Sequence, residues 1–234
     1  MFNYTNIDEN GGMTMNIDIS KYFPIYKELT PSEKALVDST IFERTVKKGT
    51  LVYNGETDCL GLTLIISGQL RVFMHSEEGR EITLFRLLDH DLCLFSASCT
   101  MQSFQTDLVI TAEKDSTLLI IPTKTYEELS KSSLSLVTYA NEIMATHFTD
   151  VMWLLEQIMW KSFDKRLASF LIEESALEDS LTLKITHELI ANHLGTAREV
   201  VTRMLKYFQS EGYVCLTRGT IEITDYDSLN TLIE

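Results

Sequence analysis

Between Ile185 and Gln209 the chain reads ITHELIANHLGTAREVVTRMLKYFQ, and its residue types offer two kinds of chemistry. The first is metal catalysis. A helical zinc site of the HExxH type needs two histidines four residues apart, with the glutamate beside the metal-bound water. His187 and Glu188 are present, but Ala191 stands where the second histidine must be. His193 lies about 240° around the helix from His187, so the two cannot meet at one ion.

The second chemistry is the reading of bases. Thr186 can cap a first helix that runs to Asn192 or His193, Gly195 supplies a turn, and Thr196 can cap a second helix from Ala197 to about Ser210. Val201, Met204, Leu205 and Phe208 then share one apolar face opposite Ile190 and Leu194. The other face presents Arg198, Glu199, Thr202, Arg203 and Lys206. Arginine binds guanine O6 and N7 with two hydrogen bonds, and glutamate accepts from cytosine N4, so this face can distinguish base pairs. A solvent ion pair between Glu199 and Arg203 would explain those two residues alone, but not the short first helix, the turn glycine and the hairpin that follows. Thr186, Lys206 and Arg218 are assigned to phosphate, where they position without specifying. On this reading His187 and His193 are the least informative residues of the stretch.

The elements that must carry this face follow from the rest of the chain. VCLTRGTIEIT reads as two short strands around an Arg218–Gly219 turn, the wing of a winged helix. From Ile41 to about Ile121 short alternating or β-branched runs are punctuated by Gly49, Gly55, Gly68 and Gly79, which predicts an all-β domain. Residues 124–131 read as a short helix, and a long one follows from about Leu134 to Lys161. In it Val137, Ala140, Met144, His147, Val151, Leu154 and Ile158 recur at steps of three and four, a coiled-coil seam. Trp153, Leu155, Met159 and Trp160 add a second apolar surface. The simplest partner for the seam is a second copy, with an intramolecular helix pair as the other possibility. Asp164 is read as the cap of the next helix and as the hinge. The expected division is an arm over 1–20, a sensor domain over 21–133, a dimerisation helix over 134–161 and a DNA-binding domain over 162–234.

Composition fits this division. The 234 residues are 44% hydrophobic and 23% charged, as in an ordinary globular protein. The net charge of -14 is not evenly spread. Residues 184–220 hold five basic side chains (Lys184, Arg198, Arg203, Lys206, Arg218) against three acidic (Glu188, Glu199, Glu211), the only net-positive segment. Random DNA should therefore bind weakly, and binding should depend on specific contacts. Cys59, Cys93, Cys99 and Cys215 form no CxxC pair, which argues against a structural zinc site or a disulfide scaffold. The first 20 residues lack Lys, Arg and an apolar core, unlike a secretory signal, and no apolar run reaches membrane-spanning length, so a cytoplasmic protein is expected.

With these motifs in place the chain resembles the catabolite activator and fumarate–nitrate regulator (CRP/FNR) family of bacterial transcription factors. ITHELIANHLGTAREVVTRMLKYFQSEGYV is similar to its winged helix-turn-helix, and KKGTLVYNGE, ISGQLRVF and EEGREITLFRLL resemble its β-roll sensor. The resemblance implies an α+β fold with an amino-terminal jelly-roll-like β-roll, a long dimerisation helix and a carboxy-terminal winged helix-turn-helix. It also implies that Arg198, Glu199 and Arg203 read bases, and that the partners are an inverted-repeat duplex, a second copy of the chain and RNA polymerase.

The sensor departs from the cyclic-nucleotide branch. Leu94 and Phe95 stand where that branch has a Gly-Glu pair for the ribose, and Thr106–Asp107 lie near the place of its Arg-Ser pair. No Lys or Arg occurs between Arg86 and Lys114, so a cyclic phosphodiester would meet Asp107 and no cation. With no cysteine before Cys59, an amino-terminal iron–sulfur cluster is not expected either. What remains is an apolar pocket of Cys93, Phe95, Cys99, Met101 and Phe104 against His147 on the long helix. It could hold an unknown small-molecule effector, sense oxidants through Cys93 and Cys99, bind haem, or be simple core. A cupin-like metal enzyme on the β domain is the remote alternative, and His75 and His90 are too isolated to form its cluster.

Overall fold

A computed structural model describes residues 18–54, 60–94 and 108–233. Two short 3-10 turns, Ile19–Lys21 and Pro24–Glu28, lead into α1, Pro31–Thr40. Thr30 starts α1 through a capping box: its hydroxyl accepts from the Glu33 amide while the Glu33 carboxylate accepts from the Thr30 amide at 2.8 Å. Eight strands follow: β1 (Phe42–Val46), β2 (Leu51–Tyr53), β3 (Leu62–Ser67), β4 (Leu70–His75), β5 (Glu81–Leu87), β6 (Leu92–Cys93), β7 (Leu108–Ala112) and β8 (Ser116–Ile121). They form two four-stranded sheets, ordered β1-β8-β3-β6 and β2-β7-β4-β5. The β3–β4 turn is closed by Gly68 at φ 107°, where a Cβ would fall 2.6 Å from the Asp115 carbonyl.

The chain separates into two compact units. One takes the residues up to Val72 and Arg86–Phe148. The other takes Thr149 onward together with Phe73–Phe85, the distal part of the β4–β5 hairpin. That assignment of the hairpin differs from the sequence expectation, which kept it within the sensor domain. In the first unit Leu62 and Leu64 of β3, Leu92 of β6 and Leu119 and Ile121 of β8 are buried with Phe23, Val37, Leu129, Leu136 and Ala140. Each of these side chains larger than alanine contributes about 1.5–3 kcal/mol when withdrawn from water.

After α2 (Thr123–Ser132) the long helix α3 spans Leu134–Trp160, as its unbroken periodicity predicts. The expected seam divides along its length. Ala140 and His147 are buried within the single chain, Val137, Met144 and Leu154 are half-buried, and Val151 and Ile158 are exposed. The most exposed apolar groups of its second half are Phe148, Met152, Trp153, Leu155, Met159 and Trp160, the last at 76%. The second half of that helix therefore exposes several large apolar side chains.

The second unit contains α4 (Phe163–Leu177), β9 (Thr182–Leu183), α5 (His187–Leu194), α6 (Arg198–Ser210), β10 (Val214–Thr217), β11 (Thr220–Ile223) and α7 (Tyr226–Ile233). The wing strands pair around Arg218–Gly219 in the expected register, with Thr217 opposite Thr220. β9 adds a third strand to them, ordered β10-β11-β9. Helices and wing close over Leu167, Leu171, Ile190, Val201, Leu205, Phe208, Val214, Ile221 and Leu229.

Two cap assignments need correction. Asp164 does not cap α4: the helix begins at Phe163, two residues earlier than expected, behind Ser162, and Asp164 sits in its first turn. There a hydrogen bond from the Ser162 side chain holds the Asp164 carboxyl below the usual carboxylate range. Thr196 does not cap α6, whose N-cap is Ala197. The Thr196 amide is committed backwards, to the Ala191 carbonyl at 3.0 Å, so this residue completes the end of α5.

Candidate nucleic-acid interface

Thr186 begins α5 as expected, its hydroxyl accepting the Leu189 amide at 3.1 Å. The helix continues to Leu194, beyond the expected end, and closes on Gly195 at φ 66° and ψ 38°. This left-handed residue sets the angle between α5 and α6. Its α-carbon has a second constraint: a Cβ there would lie 2.9 Å from Ile82 Cδ1. Ile82 belongs to the β4–β5 hairpin and forms an isolated antiparallel bridge with Leu194. The next hairpin residue, Thr83, places its hydroxyl 2.8 Å from His193 Nδ1. His193 is buried and its ring centroid lies 5.2 Å from that of Phe170. The Leu194 carbonyl accepts a hydrogen bond from the Arg166 guanidinium, whose pKa burial pushes down. The turn is thus held by α4 and by the hairpin. Ile82, Thr83, Arg166 and His193 carry no signal in the sequence alone, because their partners are distant in the chain.

Helix α6 buries Val201, Leu205 and Phe208 completely. Opposite them, Arg198, Glu199, Thr202, Arg203 and Lys206 line one open cleft, with Thr202 half-buried and the other four exposed. Among the described residues no ion pair joins Glu199 to Arg203, and Arg198, Arg203 and Lys206 form no salt bridge. The cations of this face are therefore available to an outside ligand.

A second cleft adjoins the first through Arg198, which lines both. It runs from Thr186, His187 and Glu188 on α5 to Thr217, Gly219 and Thr220 on the wing. Of the phosphate candidates, Thr186 lines this cleft and Lys206 the first one, while Arg218 is exposed at the wing tip. His187 joins the two helices: its Nδ1 is 2.9 Å from Thr202 Oγ1. Burial, and then the nearby charge of Arg198, hold its pKa below the ordinary histidine value. Far from being uninformative, the two histidines tie the helix-turn-helix together, one to Thr202 and one to Thr83.

The effector candidates are less well placed. Cys93 is buried in β6 opposite Thr63, and His147 is buried on α3. Phe95, Cys99, Met101 and Phe104 lie outside the described residues. A buried cation, Arg71 on β4, and an Arg86–Glu113 ion pair of 2.8 Å occupy the same unit as Cys93. Among the described residues no group of three or more His, Cys, Asp or Glu could hold a metal ion, and no helix is long and apolar enough to cross a membrane.

Comparison with known proteins agrees with this geometry. A family model for a Crp-like helix-turn-helix domain matches residues 165–232. The crystal structure of a transcriptional regulator of the CRP/FNR family from Eubacterium rectale is 56% identical, with a TM-score of 0.90 over 91% of this chain and 99% of that one. The cyclic AMP receptor protein of Thermus thermophilus is 25% identical over 86% of this chain and 93% of its own length. The transcriptional activator protein FnrA of Stutzerimonas stutzeri is 27% identical over 82% and 80% respectively.

Proposed function

The chain belongs to the CRP/FNR family of transcription regulators and carries its DNA-binding helix-turn-helix, and from this premise we propose that it acts as a homodimer reading an inverted-repeat site. The observation that carries this reading is the face of α6: Arg198, Glu199, Thr202 and Arg203 in one cleft, on a helix whose opposite side buries Val201, Leu205 and Phe208. In this reading Arg198, Glu199, Thr202 and Arg203 meet base edges, and Thr186, Lys206 and Arg218 hold phosphates. The exposed apolar half of α3 supplies the surface for the second copy, since contiguous apolar patches of this kind mark association sites.

A small-molecule effector in the β-roll completes the scheme, with Cys93 and His147 as its described candidates. It acts by binding two arrangements of the paired reading heads unequally, with the Ser162–Asp164 segment as hinge. A relative is named for cyclic AMP. The cation-free stretch from Arg86 to Lys114 favours a different ligand here. The buried Cys93 favours a packing role over thiol sensing. RNA polymerase is the expected partner at a promoter, and the cytoplasm the expected compartment. No part of the scheme requires enzymatic chemistry.

The test is selection of duplexes from random sequence by the purified protein, followed by footprinting. Two inverted half-sites about one helical turn apart are expected, roughly 34–36 Å between centres. Protection of no sequence above random DNA would contradict the proposal.

A further inference from the structure

His187 is a titratable group that joins α5 to Thr202 of α6 and lines the cleft between these helices and the wing. We propose that His187 is a positioning residue of the DNA interface: it orients Thr202 and, by taking up a proton as DNA fills the cleft, frees the Thr202 hydroxyl to donate towards the groove. The inference rests on the reading of α6 as the base-reading helix.

Geometry carries the proposal. Nδ1 of His187 is 2.9 Å from Oγ1 of Thr202. Thr202 is one helical turn from both Arg198 and Lys206 and lines the same cleft. His187 itself lines the adjoining cleft between α5, α6 and the wing. The charged groups sharing that cleft with the imidazole are Arg198 from α6 and Glu188 from α5, while the wing contributes Thr217, Gly219, Thr220 and Ile221 without charge. Thr202 is therefore flanked by the cations of the reading face and held by a group that can change its own charge.

In the free protein, burial and Arg198 disfavour the imidazolium, so the ring is neutral near pH 7. With its proton on Nε2, the neutral ring accepts the Thr202 hydroxyl hydrogen at Nδ1, and that hydrogen is then unavailable to DNA. Bound DNA reverses the electrostatics: phosphate charge enters the cleft and offsets Arg198. A proton from solvent adds to Nδ1, the new N–H donates to Oγ1, and the Thr202 O–H turns outward to a phosphate or base acceptor. One proton is gained per half-site and only hydrogen bonds change.

The sign follows. The titration midpoint of His187 is higher in the complex than in the free protein, so DNA affinity rises as pH falls. The gain is complete below the free midpoint and is lost as pH rises through the bound midpoint. Each half-site gains up to about tenfold for every pH unit separating the two midpoints.

The experiment uses the full-length protein and a duplex selected by it from random sequence. Nitrogen-detected NMR of the histidine rings follows His187 in the free and bound states, and binding is titrated over about pH 5.5 to 8.5 at fixed salt. A raised bound midpoint is expected, together with a flatter pH profile for His187→Asn, whose amide still bonds Thr202 but takes no proton. An unchanged His187 midpoint in the folded wild-type complex, or superimposable profiles for wild type and His187→Asn, would overturn the inference alone. Failure to select any duplex over random DNA would instead overturn the reading of α6, and the inference with it.

Discussion

His193 Nδ1 lies 2.8 Å from Thr83 Oγ1, so a side chain of the β4–β5 hairpin is hydrogen-bonded to α5, the helix that precedes α6. The two residues are 110 positions apart in the chain. Beside them Ile82 bridges Leu194 and blocks the space around Gly195. The angle at which α6 is presented is therefore set partly by a hairpin that begins in the β-roll sheet.

Thr83→Val tests that bond. It keeps the shape of the side chain and removes the hydroxyl from a buried histidine, so unfolding stability should fall by about 1–3 kcal/mol. Denaturant unfolding monitored in the DNA-binding unit measures the loss. Unchanged stability would mean that the bond contributes nothing in solution.

Gly195→Ala should be more damaging than a surface Gly-to-Ala change elsewhere. A left-handed conformation costs a non-glycine residue about 1–2 kcal/mol. The added methyl also meets Ile82 at 2.9 Å. Ile82→Ala in the same chain removes the second penalty and leaves the first, so thermal unfolding of the single and double variants should show non-additive losses. Additive losses would contradict the contact.

Leu155→Glu with Met159→Glu places two carboxylates on the exposed apolar half of α3. Sedimentation equilibrium should report dimers for the wild type and monomers for the double variant. Operator affinity should fall steeply, because two half-site contacts are no longer linked. A double variant of unchanged mass would place the dimer surface elsewhere.

Much of this was legible in the sequence for physical reasons. Strands β1 to β5, β7 and β8 are alternating or β-branched runs, the first five set off by Gly49, Gly55, Gly68 and Gly79, and the polar face of α6 follows from its 3.6-residue period. Helix α1 does not stand out by periodicity, although Thr30-Pro31-Ser32-Glu33 spells a capping box, because its apolar pattern is thin. The two-residue strands β6 and β9 are too short to show any period. Ser162 and Asp164 are both cap-forming types, and only backbone geometry separates them. The roles of His187 and His193 depend on partners 15 and 110 residues away, which spacing within one helix cannot reveal.

In the proposed reading α6 reads base sequence through Arg203, while Lys206 only positions the helix. The direct measurement is the ratio of affinities for a selected duplex and for random DNA, at one salt concentration, for wild type, Arg203→Ala and Lys206→Ala. Arg203→Ala should lower the ratio by about 1–3 kcal/mol at one base pair of each half-site, whereas Lys206→Ala should weaken both affinities alike and leave the ratio intact. An Arg203→Ala protein that keeps the wild-type ratio would contradict the claim.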